Sequence, residues 1–249
     1  MPRANRYIVP GRTYHLTHRC HDGAFLLKFA RDRDVYRQML SDRLKRHDVA
    51  LLTCCVTSNH VHLLVHAEGN RTEALSDFMQ SLEGDFAQYY NNRKGRSGAF
   101  WGDRYHATMI EGGEYLWNCL KYIDLNMVRA GVVDHPRAWA WTGYPELSGI
   151  RQRYRLIDQD RLLELLGDRE KEEFRRNYEA ALLEGVGREQ LKREPKWTES
   201  IAVGSEAFVR EVGRQIRNRM QVEIVEEEAG DGSWVVREPT AAYGSFLDP

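Results

Sequence analysis

Residues 49–66 read Val-Ala-Leu-Leu-Thr-Cys-Cys-Val-Thr-Ser-Asn-His-Val-His-Leu-Leu-Val-His. Val49 to Thr57 is a short apolar run, Ser58-Asn59 is a turn signal, and His60 to His66 is a second run, so two adjacent strands joined by a tight turn are predicted. Such a hairpin pairs antiparallel. Upstream of it, Val35, Met39, Leu40 and Leu44 recur at helical spacing within Ala30 to His47. Arg12 to Arg19 suits a first strand, followed by a turn at His21-Asp22-Gly23. Downstream, Leu75, Phe78, Leu82, Phe86 and Tyr89 mark an amphipathic helix over Thr72 to Tyr90, which runs into a loop over Asn91 to Gly98. Arg104 to Ile110 suits a fourth strand. The order β-α-β-β-α-β predicts an α+β fold, a ferredoxin-like antiparallel sheet with both helices on one face and the other face open. Gly112-Gly113 introduces one more helix, Glu114 to Val128, with Leu116, Leu120, Ile123 and Met127 as its apolar side, expected near the open face.

The chain has 249 residues, more than the ~150 of a typical domain, so a main domain with an appendage is expected. A stretch rich in Trp, Pro and Gly over Gly131 to Gly149 leads to a boundary near residue 155, dividing residues 1–155 from a helical accessory region, 156–249. The net charge of −1 conceals a split: 22 Lys and Arg against 16 Asp and Glu up to residue 155, then 14 against 21, with all nine histidines before residue 136. A basic front half suits an anionic partner, phosphates being the usual one. No run approaches the ~18 apolar residues of a membrane span, and Met1 to Pro10 lacks the apolar core of a secretory signal, so no membrane partner and a cytoplasmic location are expected. Cys20, Cys54, Cys55 and Cys119 form neither a CxxC pattern nor a disulfide framework and read as free thiols.

Side chains alternate along a strand, so His60 and His62 project from one face about 7 Å apart while Val61, Leu63 and Val65 face the core. Two imidazoles so placed can share one metal ion, and His66 continues the row; paired histidines are also common on strand surfaces that bind nothing. On the helix that follows, Tyr122 and Asn126 are four residues apart and so address one spot, with Arg129 on the same flank. A phenol with a pKa near 10 needs a nearby cation or base before it attacks a phosphate.

The segment Ser58-Asn59-His60-Val61-His62-Leu63-Leu64-Val65 resembles the His-hydrophobic-His motif of the HUH endonuclease superfamily. Tyr122-Ile123-Asp124-Leu125-Asn126-Met127-Val128-Arg129-Ala130-Gly131-Val132-Val133 resembles the nucleophile helix of its single-tyrosine transposases, above all the REP-associated tyrosine transposases. The segments Tyr14 to Arg19, Ala99 to His106 and Pro136 to Tyr144 are also similar to that family, so the resemblance spans residues 11–147. Two departures stand out: Met127 occupies a position where proline is common, and Asn126 one where related transposases use glutamine as a metal ligand.

The resemblance implies a metal-dependent transposase and endonuclease that nicks and rejoins single-stranded DNA, with Tyr122 as nucleophile and a covalent 5′-phosphotyrosine intermediate. It implies a divalent metal, Mg²⁺ or Mn²⁺, on His60, His62 and Asn126. It also implies hairpin DNA as partner and allows a homodimer in which tyrosine and histidines come from different chains. DNA contacts are expected from Arg12, Arg19, Arg93, Lys94, Arg96, Arg104 and Arg129, with Tyr105 stacking on unpaired bases. The stretch from Glu199 to Ile216 resembles the helical extension of longer family members. The competing class is a non-catalytic domain that holds single-stranded nucleic acid on an open sheet, which calls for exposed aromatics where this chain has histidines.

Overall fold

The computed structural model describes residues 7–167, 170–186, 191–217, 221–227 and 232–239. Its front half follows the expected order: β1 (Thr13–Arg19), α1 (Ala30–Leu44), β2 (Val49–Val56), β3 (His60–Ala67), α2 (Ala74–Lys94) and β4 (His106–Ile110). Strands β2, β3, β1 and β4 lie side by side in that order, every pair antiparallel. Helices α1 and α2 pack together against one face, where Tyr14, Leu16, Leu63 and Val65 from the sheet meet Leu40, Phe78, Leu82 and Phe86 in a core closed to solvent. Helix α2 continues to Lys94 and stops only at Gly95, whose positive φ lets the chain leave the helix. The loop expected from Asn91 therefore starts four residues later.

Next come α3 (Glu114–Asp124) and α4 (Asn126–Arg129), which divide the single helix expected over Glu114 to Val128. The interruption is slight. Leu125 leaves helical geometry, yet its N–H still bonds Lys121 and its carbonyl still receives the Arg129 N–H. Leu116, Leu120, Ile123 and Met127 are buried, so the apolar stripe does pack inward, against β2 and β4 on the face opposite α1 and α2.

After α5 (Tyr144–Leu147) the C-terminal part is helical, with α6 (Gln159–Leu166), α7 (Lys171–Val186), α8 (Lys196–Glu199) and α9 (Glu206–Ile216). It also contributes three strands that the sequence pattern does not foretell: β5 (Ala202–Gly204), β6 (Glu223–Glu226) and β7 (Trp234–Arg237). Strand β5 joins β4 in parallel and the sheet grows to seven strands, so it runs unbroken across residue 155. The Glu199 to Ile216 stretch thus divides into a strand and a helix, with the Ser205 hydroxyl capping α9 by accepting the Phe208 N–H. At Gly204 the chain passes so close to its neighbours that an added Cβ would lie 2.5 Å from the Phe208 ring and 2.6 Å from Glu111 Oε2. Helices α6 and α8 cover the face that the ferredoxin-like order alone would leave open, α8 packing on β1 and β4.

Candidate active site

The antiparallel register places Arg19 opposite His60, Thr17 opposite His62, and His106 opposite Thr17. Partners directly opposite share a face, so these side chains form one polar strip across three strands. Helix α3 brings Tyr122 over the strip and α4 brings Asn126 and Arg129. The result is a cleft of ≈ 800 Å³ that also receives Arg104 and Arg193.

His62 is the hub. Its ring centre lies 4.9 Å from that of His60, 5.0 Å from His15 and 6.4 Å from Tyr122. Its Nδ1 is 2.8 Å from His15 Nε2, and its Nε2 is 3.0 Å from the amide nitrogen of Asn126. His60 Nδ1 lies 2.7 Å from Asn59 Oδ1 and 3.0 Å from Thr57 Oγ1. Phenol and imidazoles thus converge within a single chain.

Burial holds the imidazoles neutral. It lowers His60 to about 4 and His15 to about 3, and takes His62 well below its ordinary range, with the neighbouring histidines and Arg129 adding to the effect. Neutral imidazole is the form that binds metals. Burial pushes the Tyr122 phenol up, while Arg129 and Arg193 pull it back. The Arg129 guanidinium lies 3.9 Å from the centre of the Tyr122 ring and donates to the Tyr122 carbonyl at 3.1 Å. Trp197 packs on the tyrosine from another side, with ring centres 6.2 Å apart.

Two imidazoles with Nδ1 engaged by protein groups, beside a carboxamide that can offer an oxygen, are a donor set compatible with a divalent ion. No cluster of three or more His, Cys, Asp or Glu side chains suited to a metal occurs among the described residues.

The remaining residues singled out from the sequence are dispersed. Arg19 and Arg104 border the cleft, as does Arg129. Arg12 instead pairs with Glu211 at 3.1 Å beside a separate cavity of ≈ 360 Å³, which His66 also lines, so His66 continues the histidine row but away from the cleft. Arg93 ion-pairs with the buried Asp32, Lys94 lies over the Phe29 ring, and Arg96 donates to Asn91 and to the Ala99 carbonyl. These three belong to the end of α2 and its cap rather than to a free phosphate-binding loop. Tyr105 is buried, which removes it as a stacking platform for bases. All four cysteines are buried free thiols.

Sequence reasoning passes over His15, His106, Arg193 and Trp197. The first two have a readable signal, because strand alternation sets His15 and Thr17 on one face of β1, and His106 of β4 lies opposite Thr17 on that face. Arg193 and Trp197 carry none, since nothing local shows that residues 191–200 return to this sheet.

Residues 9–126 match the model of the family described as "Transposase IS200 like". This segment resembles the IS200-like transposases. Among solved structures, that of a REP-associated tyrosine transposase bound to a REP hairpin is similar over 63% of this chain and 90% of the other, at 17% identity and a TM-score of 0.51. A crystal structure of a candidate transposase from Deinococcus radiodurans R1 aligns over 43% of this chain and 82% of its own, at 20% identity and a TM-score of 0.33. None of the curated proteins matches the chain. The resemblance read from the sequence is thus borne out at the level of family and fold, and the IS200-like segment ends at Asn126, one turn past Tyr122. Among the described residues no helix is long and apolar enough to cross a membrane.

Proposed function

We propose that this transposase cuts and rejoins single-stranded DNA through a covalent link to Tyr122. The observation that carries the reading is the meeting of Tyr122 with His60, His62 and Asn126 in one cleft bordered by Arg19, Arg104, Arg129 and Arg193. An apolar or acidic cleft would not admit a phosphodiester; four guanidiniums around one opening favour it. The similar transposase bound to a REP hairpin makes a folded single strand the substrate to try first.

The phenol oxygen of Tyr122 forms the new bond to phosphorus and the bond from phosphorus to O3′ breaks. The strand downstream of the cut then stays on the tyrosine through its 5′ phosphate, and the O3′ of the upstream strand leaves as a hydroxyl after taking up a proton. Attack by a later 3′-hydroxyl reverses the step and joins a new end without an external energy source. Arg129, stacked on the ring and bonded to the Tyr122 backbone, holds the phenol in place and favours loss of its proton. Mg²⁺ or Mn²⁺, held by His60, His62 and Asn126, would supply the positive charge that polarises the phosphoryl oxygens.

The test mixes the full chain with Mn²⁺ and labelled single-stranded hairpin DNA on a denaturing gel. A protein-linked label that disappears in Tyr122→Phe is expected. Cleavage without a protein-linked product would make the enzyme a hydrolase that uses water, and binding without cleavage would make it the non-catalytic single-strand binder.

A further inference from the structure

His60 and His62 on β3 are each held by a short chain of hydrogen bonds that ends on a backbone carbonyl. For His60 the chain passes through Asn59. The Asn59 amide nitrogen donates to the Gly23 carbonyl at 3.0 Å, which orients the amide so that Oδ1 faces His60 Nδ1. An amide oxygen only accepts, so the proton of His60 sits on Nδ1 and the lone pair on Nε2.

For His62 the chain is longer and starts in the C-terminal part of the protein. The Trp197 carbonyl, in α8, lies 2.8 Å from His15 Nδ1. A carbonyl only accepts, so the proton of a neutral His15 is on Nδ1 and its Nε2 carries a lone pair. That lone pair faces His62 Nδ1 at 2.8 Å. Were His62 protonated on Nε2 instead, two lone pairs would face each other at that distance with no proton between them, His15 and His62 both being buried. The proton of His62 is thereby fixed on Nδ1, and its Nε2 is left as an acceptor facing Asn126. A buried histidine whose only task was filling space would gain nothing from this orientation, and an aromatic hydrocarbon would avoid the cost of desolvating two ring nitrogens.

We infer that His15, anchored by the backbone of Trp197, is a positioning residue that sets the tautomer and orientation of His62 so that its Nε2 lone pair is presented to a divalent ion. The inference rests on the proposed role of His60 and His62 as metal ligands. It also gives the region beyond the IS200-like segment a specific task, since α8 lies outside residues 9–126 and yet ends the chain of bonds that prepares the site.

The experiment titrates the full chain with Mn²⁺, following free Mn²⁺ by electron paramagnetic resonance, for wild type, His15→Phe, His15→Gln and His62→Ala. Loss of an outer partner of a ligating histidine typically weakens metal binding about 10- to 100-fold, and that range is expected for His15→Phe. His15→Gln should restore most of the affinity, because its amide oxygen can accept from His62 Nδ1. In parallel, nitrogen chemical shifts of the His62 ring in metal-free wild type should show a protonated Nδ1 and a bare Nε2. That second measurement decides the matter even where His15→Phe does not fold. Wild-type Mn²⁺ affinity in folded His15→Phe, or a protonated Nε2 on His62, overturns the inference. Unchanged Mn²⁺ binding in His62→Ala would instead overturn the metal site of the proposed function, so the two failures are told apart.

Discussion

The C-terminal end of α3, which carries Tyr122, is pinned by a single buried carboxylate. Asp124 accepts hydrogen bonds from Thr53 at 3.1 Å, Thr142 at 2.5 Å and Tyr178 at 2.7 Å. These tie the helix to β2, to the segment before α5, and to α7. Burial raises its pKa from 3.8 to about 6, against the pull of the three hydroxyls. At pH 7.5 the carboxylate is therefore ionised, and a hydrogen bond to a charged group contributes about 1.5–3 kcal/mol. Tyr178→Phe removes one such donor and leaves the ring, so it should lower unfolding free energy by that amount, measured by urea denaturation. In the Asp124→Asn background the same substitution should cost about 1 kcal/mol, the value for a neutral pair. The linkage has its own sign. Folding raises this pKa, so between about pH 4 and 6 the native state holds a proton that the unfolded chain has released, and stability falls as pH rises through that window. At about 1.4 kcal/mol per pH unit the fall is about 3 kcal/mol, read as the wild-type minus Asp124→Asn difference at pH 4 and 7.5. A cost below about 0.5 kcal/mol for Tyr178→Phe, or a wild type that gains on Asp124→Asn as pH rises, would refute this account of what anchors the helix that carries Tyr122.

Arg129→Met removes the cation above Tyr122 and should move the pH profile of adduct formation to higher pH, scored on denaturing gels over a pH series. Chelation with EDTA should abolish the adduct, and Mn²⁺ in excess should restore it in the wild type but not in His60→Ala. Arg93→Ala should lower stability by about 1–3 kcal/mol, because it leaves the buried Asp32 without its partly exposed ion-pair partner, and leave hairpin affinity almost unchanged in a filter-binding titration. Gly204→Ala should cost about 1–3 kcal/mol in thermal unfolding, since neither the Phe208 ring nor Glu111 can retreat from a methyl group without disturbing the β4–β5 junction.

The front half is legible in the sequence because its signals are local. Alternation in His60 to His66 and helical spacing in Leu75 to Tyr89 each arise from one element meeting one core, and the element order then selects the sheet. His60, His62 and Tyr122 stand out in the sequence for the same reason: each lies on an element whose facing follows from period alone. The arginines are harder to read, since an exposed guanidinium and one ion-paired to a distant carboxylate look alike in sequence; Glu211 and Asp32 decide the fates of Arg12 and Arg93, and neither neighbours its partner in the chain. Strands β5, β6 and β7 escape notice because three- and four-residue strands carry too few alternations to stand out.

The parallel seam between β4 and β5 has a practical corollary. A front half trimmed at residue 155 would bare the end of β4 that β5 pairs with, around Met109 and Ile110, leaving unanswered amides and carbonyls that invite stacking into aggregates. In the intact chain that rim is passed outward to β6, a strand of four residues bracketed by Glu223 and Glu226. So brief a border offers another copy little to pair with, and the tail that looks like an ornament also shortens the edge that the sheet presents on this side.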